Sequence, residues 1–205
     1  MVDKKNLSDL AVALDADGVV IRSESFTVEL EQRMGIGYSK ILPFFKGAFQ
    51  DCIVGKKELR ELLPQYLEEW GWAGSMDALI DFWFQAENKP DQQLLDEASQ
   101  LRGQGAKLFL ATNQERNRLA FMRNEMGFDS IFDHCFASCE IGFKKPDTAF
   151  YEAIANDERM KGCRRVVFFD DRENNVDPVR ELGWDGIVYR DISDFLDWKQ
   201  EMLNK

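Results

Sequence analysis

The sequence predicts an α/β protein: an open parallel sheet with helices on both faces, interrupted by one all-helical insertion. Three observations carry this reading. Short unbroken apolar runs recur along the chain, as strands covered on both sides require. Segments with apolar residues at helical spacing lie between those runs. One long stretch after the first run has helical pattern and no convincing strand. Strand alternating with helix marks a parallel sheet, because successive parallel strands need crossover connections. At 205 residues the chain has room for one such core and a small inserted module.

The elements follow in order. Leu10 to Leu14 reads as a short buried strand with Asp15 at its end. Residues 23–88 form the insertion; Tyr66-Leu67-Glu68-Glu69-Trp70 and Leu79-Ile80-Asp81-Phe82-Trp83 typify its helical pattern. Leu94, Leu95, Ala98 and Leu101 make one helical face, ended by Gly103 and Gly105. Lys107 to Ala111 is a second strand, closing on Thr112. Leu119, Met122 and Met126 give a helix stopped by Gly127, and Phe132 to Ser138 a weaker strand. Phe150, Tyr151 and Ile154 form another helical face. Arg165 to Phe169 is a third strong strand, running into Asp170 and Asp171. Val176, Val179 and Leu182 give a helix stopped by Gly183, and Gly186 to Tyr189 is a last weaker strand.

Composition narrows the function. Apolar residues are 44% and charged residues 31%, the balance of a soluble globular protein. No apolar run approaches the length that crosses a bilayer. The first residues lead into an apolar stretch too short and too soon acidic for a signal peptide, so a cytoplasmic location is expected. A net charge of −11 repels nucleic acid backbones, so nucleic acid is not an expected partner, and without a spanning run neither is a membrane. Cys52, Cys135, Cys139 and Cys163 form no Cys-x-x-Cys pair, which argues against zinc. The single histidine, His134, sits in strand-like context and reads as structural. With no Gly-x-Ser-x-Gly elbow for a triad, hydrolytic chemistry here runs on carboxylates.

Those carboxylates fall at strand ends, where open α/β sheets bind ligands. Asp15 and Asp17 follow the first strand, Thr112 and Asn113 the second, Asp170 and Asp171 a later one, with Lys145 on a loop before Pro146. Carboxylates converging at a sheet edge repel unless a cation joins them, and an all-oxygen set favours Mg²⁺. Such a cation and a lysine neutralise a phosphate as it meets an aspartate nucleophile. A second carboxylate two residues on is placed to protonate the leaving oxygen and later activate water.

These residues also carry a resemblance. Leu14-Asp15-Ala16-Asp17-Gly18-Val19-Val20, Leu110-Ala111-Thr112-Asn113, Gly142-Phe143-Lys144-Lys145-Pro146-Asp147, and Phe168-Phe169-Asp170-Asp171 through Asn175-Val176 resemble, in order, the four motifs of the haloacid dehalogenase superfamily. The likeness is greatest to members related to the phosphatase domain of soluble epoxide hydrolase and to sugar-phosphate phosphatases. It implies a Rossmann-like core of residues 1–22 and 89–205 and a helical cap of residues 23–88. It further implies that Asp15 is the nucleophile and Asp17 the general acid/base. Mg²⁺ would be held by Asp15, the Asp17 carbonyl and Asp171, with Asp170 and Asn175 behind them. Thr112, Asn113 and Lys145 would bind the phosphoryl group of a small phosphorylated substrate, a sugar phosphate or a nucleotide, in a monomer or homodimer.

Plainer roles compete at several positions. Thr112-Asn113-Gln114-Glu115 fits a capping box with Thr112 as cap. Asp170 and Asp171 fit an N-cap pair, and Asp147 reads better as an N-cap than as a site residue. Lys145 is favoured over Lys144 because it precedes proline. Phe44, Phe45 and Phe49 read as packing. Among rival activities, a dehalogenase needs no second aspartate, so Asp17 argues against it; a phosphomutase uses the same pair; a non-catalytic module leaves the filled motifs without purpose.

Overall fold

The computed structural model describes residues 6–204. At its centre lie five parallel strands: β1 (Leu10–Leu14), β2 (Lys107–Thr112), β3 (His134–Ala137), β4 (Arg165–Asp170) and β5 (Asp185–Val188). Their spatial order is β3-β2-β1-β4-β5, so the winding reverses beside β1. Register places Leu14 between Leu110 of β2 and Phe169 of β4. Asp15, Thr112 and Asp170 therefore emerge together at the carboxyl ends of adjacent strands, in the crevice that such a reversal opens.

Between β1 and the next core helix come α1 (Phe26–Met34), α2 (Tyr38–Lys46), α3 (Phe49–Ile53), α4 (Leu59–Leu62), α5 (Pro64–Trp70) and α6 (Met76–Ala86). They bury their own cluster, with Phe26, Leu30, Ile41, Phe44, Trp70 and Trp83 among its members. This makes the segment a small all-helical cap with a core of its own. The chain enters and leaves it side by side: Arg22 N–H donates to Lys89 O at 3.0 Å and Asp91 N–H to Val20 O at 2.7 Å.

The remaining helices cover the sheet: α7 (Gln92–Arg102), α8 (Arg116–Asn124), α9 (Phe128–Ile131), α10 (Ser138–Ile141), α11 (Thr148–Ala155), α12 (Glu173–Glu181) and α13 (Ile192–Asn204). Successive strand residues face opposite layers. Val12, Leu14, Leu108, Leu110, Val167 and Phe169 pack with residues of α7, α8 and α13. Ala11, Ala13, Phe109, Ala111 and Phe168 pack with residues of α11 and α12. Both faces are covered, which is why these strands read as unbroken apolar runs rather than as alternation.

Local chemistry decides the competing cap readings and moves one helix end. The cap of α8 is Glu115, whose carboxylate accepts from Asn117 N–H and Arg118 N–H; Thr112 is the last residue of β2 instead. α8 ends at Asn124, before Met126, and Gly127 at φ 71 opens α9. Asp170 and Asp171 do not cap α12, whose cap position is Arg172. Asp147 does cap α11, accepting from Ala149 N–H at 3.1 Å. His134 stacks edge-on against Phe136, a packing role. α13 has no counterpart among the expected elements.

The cap is seated on the core by specific contacts. Arg118 of α8 is buried and donates to Phe84 O at 3.0 Å and Glu87 O at 3.1 Å, at the carboxyl end of α6. Gly55, at φ 70, lies so close that a Cβ there would stand 2.1 Å from the Cys139 carbonyl oxygen. Gly55→Ala combines left-handed strain with that clash, roughly 2–3 kcal/mol in all. A chain of this size converts that to a melting temperature about 5–10 °C lower. A thermal melt within a degree of wild type would show that this contact does not seat the cap.

Candidate active site

β1 hands the chain into a tight loop that folds back on itself: Val20 N–H donates to Asp15 O and Ile21 N–H to Ala16 O. The turn needs a left-handed residue at Gly18, φ 86, and needs it without a side chain. A Cβ there would lie 2.7 Å from Asp171 Cγ. The loop thereby presses Asp15 and Asp17 toward the Asp170-Asp171 pair at the end of β4.

Asp15 is 7% exposed, Lys145 3% and Asp170 0%, so their charges are settled among themselves. Lys145 Nζ stands 2.7 Å from Asp15 Oδ1 and 2.6 Å from Asp170 Oδ2. Asp170 Oδ1 accepts from Arg172 N–H and Asn175 Nδ2, each at 2.9 Å. Both oxygens of Asp170 are thus committed to holding neighbours. Tyr151 OH donates to Asn175 O at 2.6 Å and fixes the first turn of α12. Asn113 braces the Lys145 loop from β2: its Nδ2 donates to Lys145 O at 3.0 Å, and its Oδ1 accepts from Lys145 N–H at 2.8 Å.

One buried cation does not balance this cluster. Burial pushes the Asp15 carboxyl above its usual range; Lys145 opposes this and Asp170 adds to it. Asp171 is likewise raised by burial and by Asp170. Burial disfavours the Lys145 ammonium, yet Asp15 and Asp170 outweigh it and hold the group above its ordinary value. Carboxylate oxygens of Asp15, Asp170 and Asp171 lie within 4.8 Å of one another, spacing at which one cation can join them. An all-oxygen, net-negative donor set fits a hard divalent ion such as Mg²⁺.

The site opens into a cavity of about 460 Å³ between core and cap. Every expected residue except Asp170 lines it: Asp15, Asp17, Thr112, Asn113, Lys145, Asp171 and Asn175. Asp170 sits directly beneath. A second cavity of about 520 Å³ lies at the opposite end of the strands, beside Leu10, Arg165 and Asp185, and none of the acidic cluster reaches it.

The cap supplies lining that sequence reasoning did not place. Phe45, Phe49, Gln50 and Ile53 face the cavity, whereas Phe44 is inside the cap core. Lys144 also lines it, and its ammonium donates to Gln50 Oε1 across the cap boundary. Gln114 was missed altogether; its Nε2 donates to Asp17 Oδ2 at 2.6 Å. The signal available in the chain was faint: Gln114 follows the Thr112-Asn113 pair, but its partner lies 97 residues away.

Comparison with known proteins agrees with this architecture. The model of the haloacid dehalogenase-like hydrolase family matches residues 10–183. The chain is 30% identical over 104 residues to a sesquiterpene phosphatase of Aspergillus oryzae, covering 50% of this chain and 52% of that one. It is 30% identical over 115 residues to the rat bifunctional epoxide hydrolase 2, covering 53% of this chain and 20% of that one. The chain thus matches about half the length of the first relative and a fifth of the second. Among solved structures, a predicted HAD-like hydrolase from Porphyromonas gingivalis superposes with a TM-score of 0.79 at 22% identity, over 97% of this chain and 99% of that one. A HAD family enzyme from Bacteroides thetaiotaomicron, in complex with magnesium and inorganic phosphate, gives 0.71 at 21% identity, over 85% and 91%. At these identities the superpositions speak for the fold, and the family match covers most of the chain: this protein belongs to the haloacid dehalogenase-like hydrolases.

Proposed function

We propose that the protein is a Mg²⁺-dependent phosphatase that hydrolyses a small-molecule phosphate monoester through an aspartyl-phosphate at Asp15. The observation that carries this reading is the meeting of Asp15, Asp171 and Lys145 at one cavity that also presents Asp17. A nucleophile, a set of oxygen ligands, a phosphate-binding cation and a second carboxylate are then within reach of a single phosphoryl group. The relative named as a sesquiterpene phosphatase, and the neighbour holding magnesium with phosphate, support the same reaction class.

The residues divide the work as follows. Asp15 and Asp171, with the Asp17 backbone carbonyl, would hold the cation. When bound, Mg²⁺ offsets the charge of the phosphoryl oxygens and makes phosphorus a better electrophile. Lys145 holds Asp15 and offers its ammonium to the same phosphoryl group. Thr112, buried at the end of β2, lines the cavity, and its hydroxyl would donate to the same phosphoryl group. Asn113 spends its side-chain amide on Lys145, so it serves the phosphate through the loop it braces. Asp15 attacks phosphorus as the ester P–O bond breaks, and Asp17 gives its proton to the departing oxygen. Asp17 then takes a proton from water, whose oxygen attacks phosphorus and frees Asp15 with inorganic phosphate.

The cap segment of residues 23–88 roofs the cavity with Phe45, Phe49 and Ile53, and Gln50 and Lys144 meet at its rim. That lining suits an organic leaving group with a flat or apolar face and a polar edge, as a sugar or nucleoside has. Asp17 separates this reading from dehalogenation, which has no leaving oxygen to protonate. The test is phosphate release from a panel of phosphorylated metabolites with and without Mg²⁺. Metal-dependent release of inorganic phosphate supports the proposal. Isomerised phosphoester without net release would make the protein a mutase, and halide release from haloacids alone would overturn phosphoryl transfer.

A further inference from the structure

We propose that Gln114 is a positioning residue that orients Asp17 for proton transfer and ties that orientation to the seating of the cap. The inference rests on the phosphatase reading above and deepens it. Asp17 itself is exposed to the cavity, so little packing holds its side chain. Gln114 is 6% exposed and reaches out of the core to donate Nε2–H to Asp17 Oδ2 at 2.6 Å. An amide NH₂ only donates, so the bonded oxygen is fixed as an acceptor. The other oxygen, Oδ1, is left to carry the proton that the leaving group takes.

Gln114 is in turn held from below. Its backbone N–H donates to Ser138 Oγ at 3.0 Å, and Ser138 is fully buried. A hydroxyl has one proton to give. The nearer acceptor for it is the carbonyl of Ile53 in the cap, at 2.6 Å, against 3.4 Å for the Gln114 carbonyl. A line of three hydrogen bonds therefore runs from the cap backbone through Ser138 and Gln114 to Asp17. Ile53 also lines the cavity, and Gly55 two residues on packs against Cys139 beside Ser138. Lifting the cap removes the acceptor for the Ser138 proton and frees that hydroxyl to turn. The acid/base is thus best ordered when the roof is down and water is kept out. A residue that only filled space here would need no donor at this end.

The experiment compares kcat/KM on two esters with Mg²⁺ present. One is an alkyl phosphate, whose alkoxide must be protonated as it leaves; the other is a nitrophenyl phosphate, whose phenolate departs without a proton. Gln114→Met keeps side-chain length and removes the donor, and Gln114→Asn withdraws it by one methylene. Either substitution lowers kcat/KM on the alkyl ester by about 100-fold and on the nitrophenyl ester by less than about 3-fold, the signature of a misplaced acid. Ser138→Ala, which leaves the Gln114 side chain intact, shifts the same ratio in the same direction. Equal losses on both esters in the Gln114 variants overturn the positioning role. An unchanged ratio in Ser138→Ala overturns the link to the cap. Wild-type protein that releases phosphate from neither ester removes the phosphatase reading, and this inference with it.

Discussion

Asp15→Asn reduces phosphate release by ~10⁴-fold or more, because a carboxamide does not attack phosphorus. The fold survives the change. Oδ1 of Asp15 accepts both from Lys145 Nζ and from Ala16 N–H, each at 2.7 Å, and the Asn carbonyl oxygen replaces it in both bonds. The substitution also removes a charge that burial disfavours. Thermal melts of metal-free protein accordingly show the variant at or above wild type. Phosphate release near wild-type rates would place the nucleophile elsewhere.

Lys145→Met has the second large effect, on stability and rate together. It strips the shared cation from Asp15 and Asp170, both buried, and breaking a buried pair from one side costs roughly 3–5 kcal/mol. For a chain of this size that is a melting temperature lower by roughly 10 °C. Mg²⁺ restores part of the loss, since a divalent ion offsets the same carboxylates and stabilises by mass action. Turnover falls by about 10²–10³-fold even with the metal, as one charge on the phosphoryl group is gone.

The contribution of the site carboxylates to the pH dependence of the metal-free protein has a defined sign. Asp15 and Asp171 are held above their ordinary value of 3.8, so the folded state keeps their protons to higher pH than the unfolded chain. That contribution is full below pH 3.8 and fades as pH rises through the raised values. Glu140 runs the other way: Arg123 holds it below 4.5, so its contribution is lost only on acidification below that range, and it is partly exposed and small. Metal-free Lys145→Met is therefore more stable near pH 5 than near pH 8. A variant that melts like wild type at both would show that the Lys145 pairing is not what holds this end of the sheet.

Much of this site was legible because it sits at strand ends that could be read. β1, β2 and β4 are covered on both faces, so each is an unbroken apolar run, and the polar residue that ends each run announces itself. Asp15, Thr112 and Asp170 were found that way. What the chain hides is set by contacts distant in sequence. Gln114 gains its meaning only when the loop after β2 meets the turn after β1. Phe44 and Phe45 are neighbours of one composition, yet Phe44 is buried inside the cap while Phe45, packed against the same cluster, also lines the cavity. A helix cap competed with the site role at Thr112, because its spacing to Glu115 fits a capping box. The structure extends β2 through Thr112 and gives the cap to Glu115 itself, whose carboxylate reaches two backbone N–H groups. The same extension brings Thr112 into the cavity.

On the proposed mechanism the phosphoryl group passes through Asp15. The direct measurement is reductive trapping during turnover in Asp17→Asn, where loss of the general base slows release of the enzyme-bound phosphate. Borohydride converts an aspartyl-phosphate to homoserine, and peptide mass spectrometry locates it. Homoserine is expected at position 15, dependent on Mg²⁺ and on substrate. Phosphate release by wild-type protein with no modification at Asp15 in the trapped variant, or with the label at another residue, would contradict it.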